Sequence, residues 1–141
     1  MSGLSASAVA VGDRHEAVVV DGLTRTQIVQ YAGASGDYNP LHTDEVFATQ
    51  AAGYPSVFAH GMLTMGMTGR MLTDLVGAGR LTEFGGRFTS QVWPGDTLTV
   101  TAEVTAVGDA DGVPTADFSV VTTNQQGVAV FTGTATARLD P

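Results

Sequence analysis

The 141-residue chain contains no cysteine, and its six basic residues are all arginine, so it also has no lysine. Without cysteine there is no disulfide framework, no thiolate zinc site and no cysteine nucleophile. Without lysine there is no Schiff-base chemistry and no P-loop lysine. Positive charge is scarce as well: fourteen acids stand against the six arginines, a formal charge of −8. Non-specific nucleic-acid binding needs a basic footprint that this balance does not supply, and an anionic membrane surface is disfavoured for the same reason. Charged residues make up only 14% of the chain against 43% hydrophobic, a globular rather than a disordered composition. A chain of this length buries about 70% of its unfolded surface, enough for a core without staples. One domain over residues 1–141 is expected.

Long apolar runs are missing too. The most apolar stretch, Met62 to Val76, is interrupted by Arg70, Asp74, threonines and glycines, and is too short and too polar to span a bilayer. Met1 to Ala6 has neither a positive n-region nor an apolar h-region, so it does not read as a secretory signal. The expectation is a cytoplasmic protein.

Residues 1–12 carry no period and are expected as a tail or an edge segment. Glu16 to Val20 is β-branched and bounded by Asp21-Gly22, which predicts a strand. Thr24 with Gln27 forms a capping box, and Ile28, Tyr31, Ala32 and Ser35 share one helical face that Gly36 ends. Asn39-Pro40 excludes continuation of that helix, because the residue before proline leaves the α region. Thr43 as N-cap, with Asp44 and Glu45 in the first turn, predicts a short second helix to about Ala51. Met62 to Val76 is apolar on nearly every face, as a buried helix is. Its methionines read as helix core rather than as a cofactor box, and Gly66 and Gly69 as places where a sheet comes close.

From Leu81 onward the period changes to two. Leu98, Val100, Ala102, Val104 and Ala106 alternate with threonines and Glu103, and turn signals at Asp109 to Gly112 and Asn124 to Gly127 separate further strands. Gly133 within the last strand marks a bulge or a close backbone approach. The plan is an α+β hot-dog fold: a long buried helix wrapped by a curved antiparallel meander of about four strands, with one early strand. Part of the helix and a sheet edge stay uncovered, so a dimer that continues the sheet is expected.

Three histidines, at 15, 42 and 60, are available for chemistry. His15, on a predicted edge strand, reads as structural. Asp37 and His42 flank Asn39-Pro40, and a proline-enforced bend can bring a carboxylate and an imidazole to one water. By spacing alone these are ordinary turn residues. A metal site from His42, Asp44 and His60 lacks any ligand spacing, and no metal is expected.

The longer string Tyr31-Ala32-Gly33-Ala34-Ser35-Gly36-Asp37-Tyr38-Asn39-Pro40-Leu41-His42, with Ala48 further on, resembles the hydratase 2 signature. This is the signature of the MaoC-like dehydratase family, the (R)-specific enoyl-CoA hydratases and (3R)-hydroxyacyl-thioester dehydratases. Ala59-His60-Gly61-Met62-Leu63 is similar to the family's entry into the central helix, and Val92 to Leu98 to the loop opening its third strand. The run from Ala59 to Gly66 resembles in particular the catalytic B subunits of mycobacterial-type hydroxyacyl-ACP dehydratases. The resemblance covers about residues 24 to 139.

The resemblance implies a homodimer or a heterodimer with a paralogous subunit, no cofactor, and reversible hydration of trans-2-enoyl thioesters carried on CoA or acyl carrier protein. It assigns Asp37 and His42 as the catalytic pair and the Gly61 backbone N–H as oxyanion donor. Ser35 and Asn39 are supporting residues, and His60 packs or hydrogen-bonds beside the glycine. Some members use a serine near position 69, where this chain has Gly69. The roles are physically sensible: a helix N-terminus stabilises charge on the thioester oxygen, glycine permits close approach, and a half-buried Asp37 can act as a base. A hot-dog thioesterase and a subunit active only in a heterodimer are the rival readings. Both carriers are anionic, so Arg70, Arg80 and Arg87 are the candidates to meet a phosphate.

Overall fold

The computed structural model describes residues 3–141. Five antiparallel strands, β1 (Arg14–Val20), β2 (Leu81–Phe88), β3 (Leu98–Ala110), β4 (Val113–Thr123) and β5 (Ala129–Arg138), form one sheet in the order β1-β3-β4-β5-β2. Three α-helices, α1 (Arg25–Ser35), α2 (Pro40–Thr43) and α3 (Gly61–Val76), lie between β1 and β2 in the chain. This is the hot-dog arrangement. No helix among the described residues is long and apolar enough to cross a membrane.

The meander holds for β3-β4-β5 only; β2 pairs with β5 at the far edge. Residues 89–97 are too long for a hairpin turn and carry the chain across the end of the sheet. The two strands come closest at a pair of glycines. Gly86 faces Gly133 across β2 and β5, and a methyl group on either would strike a backbone oxygen of the other strand. Gly133 therefore marks a close approach and not a bulge.

Alternation along β3 works as expected up to Val104: Leu98, Val100, Ala102 and Val104 are all buried. A leucine or valine side chain contributes about 1.5–3 kcal/mol when fully buried. Ala106 is exposed instead, because the register shifts between Val104 and Ala106. The main core joins Val100, Ala102 and Val104 to Leu72 and Val76 of α3 and to Phe118 and Val120 of β4, while Leu98 belongs to a second cluster with Leu23, Ile28 and Val92.

On α3 the buried stripe is Thr64, Thr68, Met71, Leu72 and Val76. Thr68 Oγ1 lies 2.7 Å from Thr122 Oγ1, so the apolar helix is fastened to the sheet by a buried hydroxyl pair. The opposite face, with Met62, Gly66, Arg70 and Asp74, is exposed. Gly69 does bring β2 close, its Cα packing toward Phe84, but nothing approaches Gly66.

Two local expectations are corrected between α1 and α3. Thr43 is the last residue of α2 and not a cap; Asp44 takes that role, its Oδ1 accepting from the Phe47 N–H at 3.0 Å. The turn that follows is a π-helix over Phe47–Ala51. Residues 3–12 of the expected tail or edge segment lie against the fold: Ser5 bridges Asp140, and Leu4, Ala6 and Val9 pack on the core. Residues 1 and 2 lie outside the described residues.

Candidate active site

The bend after α1 is built from side chains that each bind the backbone two residues further on. Gly36, at φ 75°, stops the helix in the left-handed conformation. Ser35 Oγ accepts from the Asp37 N–H at 3.2 Å, Asp37 Oδ1 from the Asn39 N–H at 3.3 Å, and Asn39 Oδ1 from the Leu41 N–H at 3.0 Å. These nested turns are what serine, aspartate and asparagine do best locally. Asn39 thereby caps α2, with Pro40 at its first position, and His42 falls in that helix's last turn.

Opposite this bend runs the extended segment before α3. It is pinned on both sides, by the Phe58 N–H to the Leu41 carbonyl at 3.3 Å and by the Ala59 N–H to the Val92 carbonyl at 2.8 Å. Asp96, buried at 6% exposure, holds the second support in shape by accepting from the Trp93 N–H and the Gln125 amide. Glu45 ties in the third side, accepting from Arg25 at 2.6 Å and from the Val57 N–H at 3.2 Å. The Arg25 guanidinium, with help from the Val57 amide, holds the Glu45 carboxyl below its ordinary pKa.

Between the bend and the segment the three side chains meet. His42 Nδ1 lies 2.6 Å from the Phe58 carbonyl. A carbonyl only accepts, so Nδ1 carries the hydrogen and Nε2 is left free. The His42 ring stacks on His60, centroids 3.8 Å apart and 27° between planes. His60 Nε2 donates to the Asp37 carbonyl at 3.0 Å, and Tyr31 packs edge-on against the His60 ring at 4.9 Å. One polar atom from each of Asp37, His42 and His60 lies within 4.8 Å of the others. His60 is the residue immediately before α3, so the next amide, that of Gly61, opens the helix.

Asp37 and His42, predicted as a pair, are thus brought together, and Ser35, Asn39 and His60 all touch the structure that joins them. Asp37 is exposed and not half-buried; its carbonyl accepts from His60, and its Oδ1 accepts from the Asn39 N–H two residues on. Asp44 is not near enough to join; its carboxylate is used at the π-turn. Nor do the three clustered groups aim at one ion. A metal about 2.1 Å from both imidazoles must lie in both ring planes, and stacked rings do not share one. His15 sits on β1, in a cleft of about 670 Å³ against α3, and takes no part.

Sequence reasoning missed Phe58, whose carbonyl orients His42, and Phe88. A methyl group on Gly61 would lie 2.9 Å from the Phe88 ring. The two residues share a pocket of about 320 Å³ with Thr64, Val92 and Val130. No motif marks these contacts, since one is made by a main-chain atom and the other by a strand distant in sequence.

Burial holds the His60 pKa below its ordinary 6.5, outweighing the bond to the Asp37 carbonyl; the charge of His42 adds to the lowering. The unfolded chain therefore binds a proton before the folded one does as pH falls. Stability is expected to decline as the pH drops through about 6.5 toward the folded value. Tm measured from pH 7.5 to pH 5 should fall less steeply for His60→Phe than for the wild type.

Residues 7–126 match the model of the MaoC like domain. The 3-hydroxyacyl-thioester dehydratase Y of Mycobacterium tuberculosis is 42% identical over 101 residues, which are 70% of this chain and 35% of that protein. The chain thus spans about a third of that relative's length. Among solved structures, the (R)-hydratase from A. caviae involved in PHA biosynthesis superposes with a TM-score of 0.82 at 28% identity, covering 95% of this chain and 99% of that one. A chain of the ChsH1-ChsH2 complex from Mycobacterium tuberculosis gives 0.78 at 28% identity, covering 93% of this chain and 98% of the other. The Gly-Asp-x-Asn-Pro-x-His bend, the sheet wrapped on α3 and these matches agree, and the chain belongs to the MaoC-like domain family.

Proposed function

We propose that this protein reversibly hydrates trans-2-enoyl thioesters to (3R)-3-hydroxyacyl thioesters, with Asp37 and His42 as the catalytic pair and the Gly61 N–H as oxyanion donor. The observation that carries the reading is the meeting of the Asp37 and His42 side chains directly beside the residue that precedes α3. A water between them loses a proton as its oxygen bonds to C3. The C2=C3 electrons move toward the carbonyl, whose oxygen gains charge that an unpaired helix-start N–H can receive. A second proton then reaches C2 and the thioester is restored. Every atom of water ends on the product, and no oxidant or reductant is needed. The pocket at Gly61 and Phe88 suits the acyl portion.

The exposure of Asp37 supports a partner over this face. A homodimer or a pairing with a paralogous subunit, continuing the sheet through the free edge of β2, brings the second chain to the border of the Phe88 pocket. Arg80 is engaged by Asp140 and Arg70 by Asp74, whereas Arg87 has no ion-pair partner among the described residues. Arg87 is therefore the arginine we assign to the carrier's phosphate.

The test follows loss of enoyl absorbance from crotonyl-CoA with the purified chain, and then resolves the product by chiral chromatography. Hydration to the (R) isomer is expected. The (S) isomer, or release of free CoA from acyl-CoA without hydration, overturns the proposal. Activity that returns only on adding a paralogous subunit selects the heterodimer.

A further inference from the structure

Strand β2 ends the sheet, so one row of its backbone groups has no strand beside it. From Glu83 to Phe88 its register against β5 is unbroken, and it carries no proline to blunt the edge. The Thr89 N–H bonds to the Val130 carbonyl, and in an antiparallel pair such bonds recur at every second residue. Glu83, Gly85 and Arg87 therefore turn their N–H and C=O groups toward β5, whereas Phe84, Gly86 and Phe88 turn theirs outward. The side chains divide in the same way. Phe84 lies toward Gly69 and Phe88 toward Gly61, so this set faces α3. Glu83 and Arg87 share the other face, both exposed, and neither has an ion-pair partner among the described residues.

The stretch from Glu83 to Arg87 is its own complement about Gly85. Laid antiparallel to a second copy with the two Gly85 residues opposed, β2 places Glu83 across from the partner's Arg87, and Arg87 across from the partner's Glu83. The outward groups fit this register. Phe84 and the partner's Gly86 exchange both backbone bonds, and the ion pairs fall at the non-bonded positions, where side chains stand closest. Phe84 thereby packs over a residue without a side chain, the way aromatic residues support edge glycines. Moving the centre by one residue in either direction removes both ion pairs. Moving it by two opposes Glu83 to Glu83 or Arg87 to Arg87, which is destabilising.

We propose that a second copy of this chain pairs with β2 in that register and completes the acyl pocket. This rests on the hydration reading for the pocket and names the partner at that edge as the same chain. A paralogous partner has no need of a strand that complements itself. Across the two-fold axis, the partner's Thr82 falls beside Phe88, the ring that covers Gly61 and borders the pocket of about 320 Å³. Phe88 is 49% exposed in the single chain, and the second copy closes its open side. Arg87 gives one edge of its guanidinium to the partner's Glu83 and keeps its remaining N–H groups for the carrier phosphate.

The chain has no cysteine, so one introduced thiol reports one contact. Nothing lies within 4 Å of a methyl group on Gly85. Residues opposed at a non-bonded position stand about 4.5 Å apart at Cα, within disulfide range. Gly85→Cys is expected to give a covalent dimer under mild oxidation, and Val18→Cys, on the other edge strand, to stay single. Glu83→Arg and Arg87→Glu each oppose like charges and should weaken dimerisation at least about tenfold in sedimentation equilibrium. Mixing the two variants should restore it, because the mixed dimer opposes unlike charges at both positions. Hydration of crotonyl-CoA by Glu83→Arg should fall as its dimer dissociates and return in the mixture. The pairing is overturned by a wild-type monomer at micromolar concentration, by a mixture that stays dissociated, or by cross-linking through Val18→Cys in place of Gly85→Cys. Full turnover by dissociated Glu83→Arg overturns the completed pocket. Paired chains that hydrate no enoyl thioester remove the hydration reading and leave the pairing standing.

Discussion

Asp37→Asn is expected to lower kcat for crotonyl-CoA hydration by at least about a hundredfold, and His42→Gln by a similar factor. Each change keeps the size of the side chain and removes its ability to exchange a proton, and general acid–base catalysis is commonly worth about 10²–10⁴ in rate. The fold should survive both. An asparagine at position 37 can still accept from the Asn39 N–H as Asp37 Oδ1 does now, and the Ser35 contact is made to the backbone of residue 37. A glutamine amide at position 42 lies nearer the place of Nε2 than of Nδ1, so the bond to the Phe58 carbonyl is lost there, and the thermal transition of that variant is compared with the wild type's. The losses should not multiply in the double variant, because the two groups act on one water and removing either already disables it. Folded variants with near wild-type turnover would mean that the pair is misassigned.

Gly61→Pro is the second large effect, and it isolates the oxyanion donor. Gly61 is the first residue of α3, the helix position that best tolerates proline, and His60 already has the extended ψ of 137° that a following proline requires. The substitution deletes one N–H and breaks no helical hydrogen bond. Loss of a single oxyanion donor is worth about 10²–10³ in kcat, and that is the expected drop. Gly61→Ala is the control, since it keeps the N–H while adding the same first carbon against Phe88. Phe88 is half-exposed and can give way. Steady-state kinetics should therefore place Gly61→Ala far above Gly61→Pro. Equal kinetics for the two would relocate the oxyanion donor.

The elements of the hot-dog fold were legible because each has a local cause. The Thr24–Gln27 capping box and the Gly36 stop bound α1, and both form as their residue types dictate. Period-two alternation located β3, and the Asp-Gly turn before β4 has the positive φ values at Asp111 and Gly112 that a tight hairpin needs. What failed locally failed where two signals competed. Thr43 and Asp44 are both good caps, and the choice went to Asp44 because Asn39 and Pro40 had already started a helix that uses Thr43. The position of β2 has no local signal: its pairing with β5, which includes the close approach of Gly86 to Gly133, joins strands far apart in the chain.

The sequence by itself determined that Asp37 and His42 stand at either end of one bend, since Ser35, Asp37 and Asn39 build that bend from contacts two residues long. It also determined that Gly61 follows a histidine at the start of an apolar helix. Only the tertiary structure decided that the bend and that helix start meet. The approach is made by the Phe58 carbonyl on His42, the stack of His42 on His60, and the pocket shared by Gly61 and Phe88, contacts between segments held apart along the chain. Short-range hydrogen bonding can be read from adjacent residue types, whereas the closing of a long loop is fixed by the packing of the whole core, which no local stretch encodes.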